Sequence, residues 1–272
     1  MLVPPVNSKE IPSLPEWVQA NREKMIQEVA LPAIRDACLG ITFCAVTSFF
    51  VTTNAGLITL AILPVAVTVI NIYFRTMHLF FNECGLEMPD LWDYISYAPA
   101  LAFSCLDLAT RQVLIHESGH YLAIELLFEK AHPSIEVFPL IGGITHWKSS
   151  RYLTDWGKSL GSENAKAVVA AAGTVATQLL NIPALVVGHY WGGQMGSYLQ
   201  ASAFISALGD ATYALSALSS NPSSSSDFGR LKKYGIHPLI AATTAMLIPL
   251  AVKSVLLYLD QFREKSTTEE VC

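Results

Sequence analysis

From Ala37 to Phe74, and again from Ala167 to Gly209, the chain contains no Asp, Glu, Lys or Arg. Runs of this length cannot coat a water-facing domain, because soluble domains carry about 25% charged residues. Over all 272 residues only 14% are charged and 52% are hydrophobic. A helix needs roughly 20 apolar residues to cross a bilayer, so each run can hold two spans. The expectation is an all-α polytopic membrane protein, multi-pass and surrounded by lipid bilayer.

The same composition narrows the function classes. The net charge is −5 and there is no basic block with interleaved aromatics, so no nucleic-acid partner is expected. Five cysteines, at 38, 44, 84, 105 and 272, fall singly. Without a CxxC they read as small buried hydrophobes rather than a disulfide framework or a thiolate metal site. Cys272 lacks a prenylation context. The stretch MLVPPVNSKEIPSLPEW is too polar and Pro-rich for a signal peptide, so insertion is expected to depend on internal spans.

Four regions follow from the pattern. Residues 1–36 read as a mobile tail (1–15) followed by an amphipathic, interfacial helix from Glu16 to Asp36. Residues 37–93 read as a helical hairpin, 37–53 and 57–74, turning at Asn54 and Gly56, with an acidic connector behind it. Residues 94–235 hold a long apolar segment 94–128, a polar connector with the strand-like SIEVFPLIGGITHW, two spans near 167–190 and 197–218, and a serine-rich loop. Residues 236–272 hold a last span, 236–258, and a charged tail. About six transmembrane helices and a small β element result. The basic 130–166 and 219–235 connectors are expected in the cytoplasm. The acidic 75–93 segment and the N-terminus then fall outside, against the pull of Lys9, Arg22, Lys24 and Arg35, unless the first hairpin is one span or re-entrant.

Within QVLIHESGHYLAIELLF, His116-Glu117-Ser118-Gly119-His120 forms an HExxH pattern. On a helix, residues i and i+4 share a face, so both imidazoles can reach one metal ion while Glu117 stands beside it. Zinc lowers the pKa of a bound water toward neutrality, and a carboxylate can then take its proton as general base. Chance produces such a pentapeptide in roughly one chain of this composition in a hundred. Two histidines bonded in a bundle core are the competing explanation, but ionisable groups at membrane depth are costly and mostly functional. Catalytic zinc takes a third protein ligand, for which Asp227 and Asp210 both qualify by depth. His146 reads as a surface histidine, and His132, His189 and His237 as segment-end residues. Asp107 and Arg111, one turn apart, are expected to neutralise each other.

The HESGH helix, the Gly142-Gly143 strand, the small-residue AAAGTVATQLLN helix and Asp227-Phe228-Gly229-Arg230-Leu231, in that order over residues 97–235, resemble the site-2 protease family of intramembrane zinc metalloproteases. The resemblance implies a three-span metalloprotease core, with His116, His120 and Asp227 as zinc ligands and Glu117 as general base. It also implies a membrane-protein substrate, cleaved near the cytoplasmic side of the bilayer. Three features depart from the family pattern: Phe228 stands where a glycine is expected, Thr174 where a proline is, and Asn221-Pro222 with four serines replaces a Pro-rich lead-in. A zinc hydrolase of a lipid or small amide is the alternative enzyme. A metal carrier or an inactive, protease-like scaffold is the alternative of another class.

Overall fold

The computed structural model describes residues 11–86, 98–148, 152–219 and 226–269. Helix α1, Leu14–Ala20, opens with a capping box in which the Ser13 N–H donates to Glu16 at 3.1 Å. Helix α2 runs Arg22–Ser48 and α3 runs Asn54–Glu83. The turn between them precedes the expected one. Thr53 is the N-cap of α3, its hydroxyl accepting from the Gly56 N–H at 3.1 Å, so Asn54 and Gly56 form a first helical turn. The polar half of the expected interfacial helix is therefore continuous with a 27-residue candidate span. Part of the acidic connector, to Glu83, extends α3, while residues 1–10 and 87–97 lie outside the described residues.

The two faces of α3 are inside-out compared with a soluble helix. Leu60, Pro64, Val67, Asn71 and Arg75 are buried, whereas Ile58, Ile62, Val65, Val69 and Ile72 are exposed. An apolar outer face, with Asn71 and Arg75 turned inward, suits a helix whose outer solvent is lipid. Arg75 donates to Asp36 on α2 at 2.8 Å, and Asp36 also receives Arg35. Lys24 pairs with Glu28 and Glu83. Of the four basic residues near the N-terminus, Lys24 and Arg35 are thus paired with carboxylates.

Helix α4, Ala98–Leu127, contains a π turn at Leu108–Gln112. Positions five apart lie about 140° apart on a regular α-helix, but here Gln112 reaches Asp107 at 3.3 Å. The extra residue turns both side chains toward one neighbour. Asp107 also takes Arg111 in a two-pronged pair, as expected from their spacing, and the Ser202 hydroxyl. After α4 come strands β1, Ser134–Phe138, and β2, Gly142–His146, an antiparallel hairpin pairing Val137 with Gly143 and Ile135 with Thr145. The short helix α5, Asp155–Leu160, leads to α6, Ser162–Trp191, α7, Gly193–Ser216, α8, Asp227–Lys233, and α9, Pro238–Glu269.

Five helices, α2, α3, α4, α6 and α9, are long and apolar enough to cross a membrane, which suggests a membrane protein. The expected span at 197–218 is present as a helix but is not among these five. Its residues explain this: Ser202, Ser206 and Asp210 are buried together with Ala203, Ala207, Ala211 and Ala214. Helix α7 packs against α4, α6 and α9, so protein rather than lipid is its main surrounding. A helix in that position gains more from small and hydrogen-bonding residues than from bulk apolarity.

Two ends of the bundle are distinguishable. At one, the α2–α3 turn meets the β hairpin, with the Val137 N–H donating to the Phe50 carbonyl at 2.7 Å. Helix α8 lies at this same end. At the other are the Lys24–Glu83 contact and the α6–α7 turn, where His189 meets Asp260 at 2.7 Å. Helices α2 and α3 thus form an antiparallel hairpin of two helices, each long and apolar enough to cross a membrane.

Candidate metal centre

The HExxH residues lie on the regular part of α4, after the π turn, so His116 and His120 sit one turn apart with ring centroids 4.8 Å from each other. Their neighbour is the small-residue stretch of α6. A Cβ at Gly119 would meet the Ala172 carbonyl oxygen at 2.3 Å, and one at Gly173 would lie 2.5 Å from both His116 Nε2 and His120 Nε2. Glycine at each position lets two backbones approach and leaves the imidazoles room to converge.

The third group arrives from α8. Ser226 caps this helix through the Gly229 N–H at 3.0 Å, which sets Asp227 in the first turn, where a carboxylate is favoured. Phe228 is fully buried in an apolar cluster with Ala170, Ala211, Ala214 and Leu231 and anchors the helix against the bundle. The Asp227 N–H donates to the Tyr213 hydroxyl at 3.2 Å. Asp227 Oδ2 then lies 3.2 Å from His116 Nε2 and 3.2 Å from His120 Nε2, which are 3.1 Å from each other.

These three atoms meet the requirements of a metal site in two respects. His120 Nδ1 donates to the Val169 carbonyl at 2.7 Å, so in the neutral ring the lone pair sits on Nε2 and faces the other two atoms. Three electron-rich atoms at such distances need a proton or a cation among them. Ligand atoms around tetrahedral zinc at 2.0–2.1 Å are separated by about 3.3–3.4 Å, close to the triangle observed. Burial alone would raise the Asp227 carboxyl, but the two facing histidines outweigh it and hold the carboxyl well below the usual carboxylate range. Among the described residues, this is the group of three that could hold a metal ion.

Glu117 points to the other side, into the β hairpin, and is 5% exposed. The Thr145 hydroxyl lies 2.6 Å from its Oε2 and 3.0 Å from its main-chain carbonyl oxygen. A Cβ at Gly143 would be 2.6 Å from Glu117 Cγ, so the strand touches the carboxylate through backbone. A cavity of about 520 Å³ opens beside these groups, lined by His116, Glu117 and Asp227, with Leu108, Val113 and Ile141 as apolar wall. Asp210 also lines it, but it accepts from Thr177 at 3.1 Å and Gln178 at 2.9 Å and lies outside the three-atom cluster.

The other candidates are placed as follows. His146 is exposed and pairs with Glu136 at 3.0 Å. His189 lies in the last turn of α6, a segment end as expected, and there joins Asp260 and Lys253, and Lys253 reaches Gln200 at 2.6 Å. Thr145 and Tyr213 were not singled out from the sequence. A threonine two residues after a Gly-Gly pair and a tyrosine in an apolar helix carry no pattern of their own. No protein-family model, curated protein or solved structure matches the chain, so its function has to be argued from these residues.

Proposed function

We propose that the chain is an intramembrane zinc metalloprotease of the site-2 protease type, with a three-helix core of α4, α6 and α7. The observation that carries this reading is the convergence of His116, His120 and Asp227 to within 3.2 Å beside the buried Glu117 carboxylate. Zinc bound there would supply a polarised water and a Lewis acid for the scissile carbonyl. Glu117 takes the proton from the attacking water and returns it to the leaving amine nitrogen. Thr145 orients that carboxylate, and once Glu117 is protonated the hydroxyl can turn to the carbonyl oxygen 3.0 Å away.

The hairpin favours a peptide over a lipid as substrate. The Val137 N–H points away from β2, to Phe50, which marks Val137–Gly143 as a pair that does not exchange hydrogen bonds. Gly143 and Thr145 therefore direct their main-chain groups to the free edge of β2, where among the described residues they find no main-chain partner. An extended substrate segment would add there, next to Glu117. A substrate helix has to unwind first, because its carbonyls are already hydrogen-bonded.

Zinc content and peptide turnover of the purified full-length protein test the reading together. The expected result is about one zinc per chain, lost in His116→Ala and Asp227→Asn and kept in Asp210→Asn. Glu117→Gln keeps the metal and loses turnover. Turnover by Glu117→Gln sinks the mechanism, and a wild type without zinc favours the scaffold.

A further inference from the structure

Attack of water on a peptide carbonyl puts negative charge on the former carbonyl oxygen, and a donor aimed at that oxygen is worth a large part of the catalysis. The donors around the cavity are mostly committed. The Thr145 hydroxyl serves Glu117. Thr177 and Gln178 serve Asp210, and the Gln112 amide faces Asp107 and Ser202. Tyr213 differs. Its hydroxyl oxygen accepts the Asp227 N–H at 3.2 Å, which occupies a lone pair and leaves the phenolic proton without an acceptor among the described residues.

Its placement is equally specific. Tyr213 lines the 520 Å³ cavity with His116, Glu117 and Asp227, and also a second cavity of about 70 Å³ with Glu117, His120 and Asp227. It is the aromatic residue common to both. The ring stands edge-on to Phe228, centroids 5.1 Å apart at 82°, and Phe228 is 2% exposed. Phe228 occupies the position where the family pattern has glycine, so the departure from that pattern supplies the buttress that holds the phenol.

We propose that the Tyr213 hydroxyl is a catalytic hydrogen-bond donor to the oxyanion, an inference that rests on the metalloprotease reading. The water oxygen bonds to the carbonyl carbon as Glu117 takes its proton. The carbonyl electron pair moves to oxygen, which accepts the hydrogen bond from Tyr213 while the phenol keeps its proton. On collapse the carbon–nitrogen bond breaks and the amine nitrogen receives the proton from Glu117.

The test compares wild type, Tyr213→Phe and Phe228→Leu, each as full-length protein in detergent. The probes are an apolar phosphinic pseudo-dipeptide, which carries a tetrahedral anionic centre, and acetohydroxamate, which chelates metal alone. For Tyr213→Phe we expect wild-type zinc content and acetohydroxamate affinity, with phosphinic affinity about 100-fold weaker. Phe228→Leu, which keeps the hydroxyl but frees the ring, should keep zinc and lose part of the phosphinic affinity. Unchanged phosphinic binding in Tyr213→Phe overturns the donor role. Loss of zinc in that variant overturns it too, because the phenol would then serve only to hold Asp227. A wild type that takes up no zinc removes the metalloprotease reading and the donor with it, whereas a zinc-loaded wild type separates the two.

Discussion

At Gly173 the volume of a single methyl group decides whether two imidazoles can converge on one point. A Cβ there would lie 2.5 Å from both His116 Nε2 and His120 Nε2, and the residue lies in the middle of a 30-residue helix. Helix propensity alone favours alanine over glycine by about 1 kcal/mol. Gly173→Ala is therefore expected to leave thermal stability in detergent equal or slightly higher while zinc affinity falls by at least about 100-fold. Zinc titration alongside a melting curve checks this; a variant that binds zinc normally would show that the close approach has no bearing on the site. At this scale the sequence was only partly legible. His116, Glu117 and His120 declare themselves by spacing, because one turn of helix brings them together. Asp227 is 107 positions after His120 and needed either a family pattern or the fold to join them. The Gly142-Gly143 pair stands out in the strand-like segment, but nothing in the sequence says that Gly143 lies against Glu117.

Among the elements, β2 carries most of the functional argument. Thr145 contributes a side-chain hydroxyl to Glu117 and a main-chain N–H to the free edge, so two substitutions separate the contributions. Thr145→Val removes the hydroxyl alone and should lower turnover about tenfold, the effect of one hydrogen bond to a charged group. Thr145→Pro removes the edge N–H as well and should abolish cleavage of an extended peptide. Equal rates in the two variants would exclude edge pairing. The strand-like character of this segment was legible from Ile135, Val137 and Ile144. The π turn was not, since Leu-Ala-Thr-Arg-Gln has no helix breaker, and its cause lies in the Asp107 and Gln112 partners on α7. The α2–α3 turn was misplaced because Thr-Asn-Ala-Gly serves equally as a turn signal and as a helix N-terminus. Only the contact of Thr53 with Gly56 distinguishes them. Apolarity likewise located the helix at 193–216 but could not show that α4, α6 and α9 surround it.

For the whole molecule, the arrangement of ends makes a prediction about sidedness. Lys148, Lys158, Lys166, Arg230, Lys232 and Lys233 belong to the end that carries the β hairpin and α8, and the positive-inside rule sends that end to the cytoplasm. Asn21 and Trp191 belong to the opposite end. In sealed vesicles, with the native cysteines replaced by serine, Lys158→Cys should react with an impermeant maleimide from the cytoplasmic side, and Asn21→Cys and Trp191→Cys from the other. Labelling of Asn21→Cys from the same side as Lys158→Cys would mean that α2 and α3 do not both cross.

The bond from the Val137 N–H to the Phe50 carbonyl has a consequence for how such a chain is made. Phe50 leaves the ribosome long before Val137, and the α2–α3 turn can be in place at the membrane surface when β1 emerges. That turn then offers a docking point for β1, whose partner β2 seats Glu117, ahead of α6 and α8, which bring the glycine cradle and Asp227. His116, Glu117, His120 and Asp227 would thus come together only as the last helices are laid down, so the site stays incomplete until most of the chain has been made.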